Sequence, residues 1–85
     1  MATSISASEE VRTSVTFTNR HSETIAFYVE PWGNVYQLLP EECIRVDIIA
    51  PTTRPIDISY RSNSVTVEGW EGSHAEVWLE GNRVG

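Results

Sequence analysis

Few residues in this chain are able to do chemistry, and their spacing decides which chemistry is open. Cys43, His21, His74 and Met1 are the inventory a blue-copper centre would need, since that site takes two imidazoles, a thiolate and a weak thioether. No His follows Cys43 closely, and Met1 opens a Ser-rich stretch, so no metal and no cofactor is expected. A nucleophile would have to be Cys43 with His21 or His74, or a Ser with His74 and Glu71. None of them lies in a Gly-x-Ser-x-Gly elbow, and the sequence has no Gly-rich phosphate loop. Paired carboxylates serve glycoside hydrolysis, yet a chain of 85 residues offers little room for a cleft that excludes water. The chain therefore reads as non-enzymatic. What remains is aromatic: Tyr28, Trp32, Tyr36, Trp70 and Trp78 supply flat amphipathic faces of the kind used at protein interfaces and for stacking on sugar rings.

Charge narrows the partners. Twelve acidic residues stand against six arginines, for a net charge of -6. A surface of that sign repels nucleic acid and anionic membranes, so neither is expected as a partner. The longest apolar run, residues 25–29, is far too short to span a bilayer. The first ten residues have neither the basic start nor the apolar stretch of an export signal, so a cytoplasmic location is expected. One Cys makes no internal disulfide, which leaves stability to packing or to self-association.

Residues 1–10 hold one bulky apolar residue after Met1 and read as a disordered tail ahead of a single domain over 11–85. From Val11 onward apolar and polar residues alternate, with β-branched and aromatic types frequent, which is strand rather than helix periodicity. Seven strands are predicted: 12–18, 24–30, 35–38, 43–50, 56–61, 64–70 and 75–80. Asn19 begins a polar segment suited to a hairpin between the first two, Pro31-Trp32-Gly33 suits a tight reversal, and 51–55, with two prolines, suits a crossover between sheets. Residues two apart share a face. Val15, Phe17, Ile25, Phe27, Val29, Ile44, Val46, Ile48, Ile56, Ile58, Tyr60, Val65, Val67, Val77 and Leu79 are thereby predicted to face the core. Ser14, Thr16, Arg45, Asp47, Asp57, Arg61, Glu68, Glu76 and Glu80 are predicted to face water. The expected fold is all-β, a single antiparallel β-sandwich of about seven strands, immunoglobulin-like in general build.

If the last two predicted strands form a hairpin, the register pairing Val67 with Leu79 keeps apolar residues on one face and avoids opposing Glu68 to Glu76. It sets Trp78 beside Glu68, and Trp70 beside Glu76, on the outer face. Packing, at the end of a sandwich for Trp32 and over a sheet edge for Trp70, is favoured over ligand contact for those two, whereas Trp78 has outward parity and is open to either role.

Glu30-Pro31-Trp32-Gly33, followed by Leu39-Pro40-Glu41-Glu42 and later by Val67-Glu68-Gly69-Trp70, resembles a group of short bacterial all-β proteins. In those a Glu-Pro-Trp turn precedes a Leu/Pro/Gly/Glu-type turn and then a Gly-Trp segment. The likeness covers about residues 15–84 and differs at Glu41, which stands where Gly is expected. It implies a fold and no activity, cofactor or binding residue. Val15-Thr16-Phe17-Thr18-Asn19-Arg20 and the Leu-Pro turn are more faintly similar to the von Hippel-Lindau-type β-sandwich, a protein-binding domain. The expected function is an interaction module that binds a protein partner or itself through an exposed sheet face carrying aromatics. Tyr28, Trp32, Tyr36, Trp70, Trp78, Glu68 and Glu76 are its candidate surface. The alternative is a carbohydrate-binding or small hydrolytic domain using the same Trp, Tyr and Glu residues.

Overall fold

A computed structural model describes residues 10–85. The expected tail over 1–10 falls, apart from Glu10, outside the described residues. Eight strands follow: β1 (Val11–Thr18), β2 (Ile25–Glu30), β3 (Asn34–Leu38), β4 (Cys43–Ala50), β5 (Asp57–Arg61), β6 (Ser64–Glu68), β7 (His74–Leu79) and β8 (Asn82–Arg83). They form two four-stranded sheets, in the orders β1-β4-β7-β8 and β3-β2-β6-β5. One core joins them: Ile44, Val46, Ile48 and Val77 of the first sheet meet Ile25, Phe27, Val29, Leu38, Val65 and Val67 of the second. Phe17 leans against Phe27, with ring centroids 5.6 Å apart. Inward residues alternate with outward ones, and the inward rows bury against each other.

The chain changes sheet four times, at 19–24, 39–42, 51–56 and 69–73, and makes hairpins only at β2–β3, β5–β6 and β7–β8. Three expectations change accordingly. The segment after Asn19 is a crossing rather than a hairpin, since β1 and β2 lie in different sheets. All strands are not antiparallel: β2 and β6 run parallel, with Phe27 beside Val65 and Val29 beside Val67. The pairing of Val67 with Leu79 does not occur, because β6 and β7 belong to opposite sheets and Val77 lies instead beside Val46. The reason for the last is local. Gly69 N–H donates to the Glu30 carbonyl, which ends β6 against β2. Trp70 then packs on the core. Ser73 ties back to the Trp70 backbone, so the chain turns out of its sheet.

The crossings need partners for backbone groups that no ladder serves. Asn19, wholly buried, supplies them at two of the four. Its side-chain amide donates to the carbonyls of Glu23 and Leu38, both at 2.9 Å, and its Oδ1 accepts from His21 N–H. Its own N–H donates to the Glu42 carbonyl, and its carbonyl accepts from Glu41 N–H. In the same turn Leu39 N–H donates to the Glu42 carboxylate, and Glu42 N–H donates back to the Leu39 carbonyl. Glu41 holds a left-handed φ of 70° there, a conformation that glycine adopts without a Cβ penalty. The β7–β8 hairpin, absent from the seven expected strands, turns through Glu80 and Gly81, both with positive φ. That two-residue geometry matches the strand twist, and Glu80 is an unusual first residue for it.

Two inward assignments also change. Ile58 and Tyr60 have inward parity, paired with Val67 and Val65, yet they are 51% and 72% exposed. β5 is an edge strand, and all five of its residues are exposed among the described residues. Conversely Asp47, of outward parity, is buried at 2% exposure.

Replacing Asn19 by Ala leaves the Leu38 carbonyl without its donor inside the fold and unties both crossings. The expected loss is about 2–4 kcal/mol, read as a lower urea midpoint with the slope unchanged.

Candidate functional site

Two surfaces stand apart from an ordinary solvated strand face. The first is the outer face of the β1-β4-β7-β8 sheet. Its register sets Ser14 beside Asp47 and Asp47 beside Glu76, and it sets Thr16 beside Arg45 and Arg45 beside Trp78. Two carboxylates directly opposed on antiparallel strands repel. Arg12 removes the conflict by bridging them, with Nη1 at 2.8 Å from Asp47 Oδ2 and 3.0 Å from Glu76 Oε1. Ser14 Oγ donates to Asp47 Oδ1 at 2.7 Å, and Arg45 Nε lies 3.2 Å from the same oxygen. The arginine stems fold over Asp47 and bury it, as long amphipathic side chains do.

Burial by itself would push the Asp47 carboxyl up. The hydrogen bonds from Ser14 and Arg12, with the charge of Arg45, outweigh it and hold the group below the usual carboxylate range. Glu76 is likewise held low, chiefly by its hydrogen bond from Arg12. Trp78 lies half-buried beside this network, with the Arg45 guanidinium carbon 4.9 Å and that of Arg83 5.8 Å from its ring centroid. Its buried indole N–H has no acceptor among the described residues. A shallow depression lined by Thr16, Cys43, Arg45, Trp78, Glu80 and Gly81 adjoins it.

The second surface lies beside the edge strand β5. Phe17, Ile25, Tyr60 and Val65 line a cleft of about 280 Å³ whose rim carries Arg20, His21 and Arg61. On the outer face of the same sheet Glu30, Glu68 and Asp57 stand side by side across β2, β6 and β5.

The candidate residues are divided among these surfaces rather than gathered on one. Trp78 and Glu76 share the outer face of the first sheet. Tyr28, 37% exposed, and Glu68 lie on the outer face of the second. Tyr36 and Trp70 pack against the core. Trp32 lies in the β2–β3 turn after the cis Glu30–Pro31 bond, its ring so close over Gly69 that a Cβ there would sit 2.6 Å from Cη2. Because β6 and β7 do not pair, Glu68 is not beside Trp78, nor Trp70 beside Glu76. Sequence parity placed Arg45 and Asp47 outside but held no sign that Arg12, from the edge strand, would close over them. Ile58 and Tyr60 were assigned to the core, since alternation marks a face and not its cover.

Cys43 and His74, weighed as a nucleophile and its base, are also apart. Cys43 opens β4 and His74 pairs with Ile49 near its far end, roughly 20 Å away at 3.4 Å per residue. Ser73 Oγ donates to the Trp70 carbonyl and accepts from Trp70 N–H, which occupies it in a turn. Met1 falls outside the described residues. Among the described residues no group of three or more His, Cys, Asp and Glu side chains is placed to hold a metal ion, and no helix is long and apolar enough to cross a membrane. No family model, curated protein or solved structure matches the chain.

Asp47 and Glu76 both have lowered values in the folded chain, so their contribution is complete above the ordinary carboxylate range and is lost as pH falls below it. Urea melts from pH 7 to pH 3 are expected to show stability dropping below about pH 4. Asp47→Asn is expected to flatten that drop and to cost about 1–3 kcal/mol at pH 7. Trp78→Phe keeps an aromatic face for the two arginines and removes the unpaired N–H, so its cost is expected to stay below about 1.5 kcal/mol. Trp78→Ala is expected to cost about 2–4 kcal/mol in the same melts.

Proposed function

We propose that this chain is a non-enzymatic interaction module, immunoglobulin-like in general build, that holds a protein partner or a second copy of itself along the open side of its sandwich. The observation that carries the reading is β5: among the described residues its outer backbone edge has no pairing strand, and Ile58 and Tyr60 project from the core side of the sheet into water. Exposed edges of this kind accept an added strand, and natural chains ordinarily blunt them with lysine, proline or a covering loop. The two sheets packed face to face support the immunoglobulin-like build, with the parallel β2–β6 pair as a departure from it.

The non-enzymatic part of the reading is supported by the separation of Cys43 from His74 and by the engagement of Ser73 in its turn. The net charge of -6 argues for a protein partner over nucleic acid or an anionic membrane. The cytoplasm suits a lone thiol such as Cys43, which stays reduced there. A sugar platform needs several aromatic faces on one surface; Tyr28 and Trp78 occupy opposite outer faces, and Tyr36 and Trp70 are turned to the core. No observation favours the carbohydrate reading.

The test is affinity capture with the wild-type chain and with Tyr60→Lys and Trp78→Phe variants of verified fold. A specific partner, or the chain itself, is expected with wild type and Trp78→Phe and at least tenfold less with Tyr60→Lys. Recovery indifferent to Tyr60, or quenching of tryptophan fluorescence by a glycan, would count against the module.

A further inference from the structure

We infer that the occupant of the β5 edge is a second copy of this chain, paired antiparallel through β5 about a two-fold axis at Ser59. The inference rests on the reading of β5 as the interaction edge and names its partner. A two-fold axis perpendicular to a continuous sheet puts the same face of both copies on the same side, so paired residues must have numbers of even sum. The register centred on Ser59 sets Asp57 opposite Arg61 of the second copy and Ile58 opposite Tyr60. All five residues of the strand then find partners. Shifting by one pair loses this: centring on Ile58 sets Arg61 opposite Pro55 and Asp57 opposite Ser59, so neither charge meets its opposite, and centring on Tyr60 carries Asp57 past the end of the strand to Asn63.

Charge selects the same register. Glu30, Glu68 and Asp57 form a row of adjacent carboxylates across β2, β6 and β5, and among the described residues none of the three has a salt-bridge partner. Arg61, on the same face four residues along β5, has none there either. Asp57 and Arg61 are each at the position where the other copy supplies the opposite charge, and Glu68 lies one strand inward of that pair. On the inner face Ile58 and Tyr60 of both copies close into one apolar strip, covering the side chains the opposite sheet leaves bare. The other edges lack this pairing: Arg12 of β1 is engaged with Asp47 and Glu76, β3 carries no charged residue, and β8 has two residues.

The experiment is sedimentation velocity on the full chain from micromolar to millimolar concentration, with Asp57→Arg and Arg61→Asp made singly and then mixed. The wild type is expected to move toward twice its 9.6 kDa mass with rising concentration. Each single variant sets like charges opposite each other at both ends of the paired strands and is expected to weaken the dimer about 10- to 100-fold. An equimolar mixture of the two variants restores both opposite-charge pairs and is expected to recover association that neither shows alone. Circular dichroism of each variant verifies its fold. A wild type that stays monomeric at millimolar concentration, or a mixture that associates no better than its components, overturns the second copy as occupant. Loss of a different captured protein by Tyr60→Lys in that case leaves the module reading standing with another partner, whereas indifference to Tyr60 removes both.

Discussion

A chain that alternates between two sheets must leave hydrogen-bonded neighbours at every crossing, and the polar backbone it carries through the interior there has to be satisfied. In this protein that constraint converges on Asn19, buried with every polar group engaged. Its side chain ties the departure from β1 and the end of β3, and its backbone ties the turn into β4, so two of the four crossings are held by a single residue. Its neighbours Thr18, Arg20 and His21 line the cleft at the open side of the sandwich. The same clamp thus orders the core and shapes the rim of the surface proposed for binding. An amide is suited to this work because it donates twice and accepts at the same site, which neither a carboxylate nor a hydroxyl does.

Electrostatics are arranged differently on the two outer faces. Where Asp47 and Glu76 are opposed, Arg12 reaches across from β1, and the repulsion becomes a bridged network under arginine stems. Where Glu30, Glu68 and Asp57 are adjacent, no bridging arginine is present within the described residues. A penalty of a few tenths of a kcal/mol per like-charge pair is too small to dictate strand order, and a single bridging cation reverses it. Like-charge avoidance is therefore a poor guide to register in this chain. It disfavours an alignment of Glu68 with Glu76 between segments that do not pair at all, and the structure opposes Asp47 to Glu76 instead.

Local pattern and tertiary arrangement contributed separable things. Alternation located seven of the eight strands to within a residue or two and marked which side of β2, β4, β6 and β7 is apolar, because period-two burial is written directly into side-chain order. It missed β8, whose two residues leave no period to read. It also could not reveal that β2 and β6 run parallel, since the inward rows of a parallel and an antiparallel pair look alike along each strand. The candidate site was legible only in part. The outward parity of Trp78 and Glu76 was visible, whereas their separation from Tyr28 and Glu68 followed from two strands lying in different sheets.

By itself the amino-acid order determined an all-β chain, the alternation of its faces, the turn at Pro31-Trp32-Gly33 and a net charge of -6. Only the tertiary structure decided which faces are covered. Ile58 is as apolar as Val67 and shares its side of the sheet, yet it is half exposed to water while Val67 lies in the core. Asp47 is as polar as Asp57, and only Asp47 is roofed by arginines. Parity is a property of neighbours along the chain. Cover is supplied by residues distant in sequence, and its presence or absence is where the surfaces of this protein acquire their meaning.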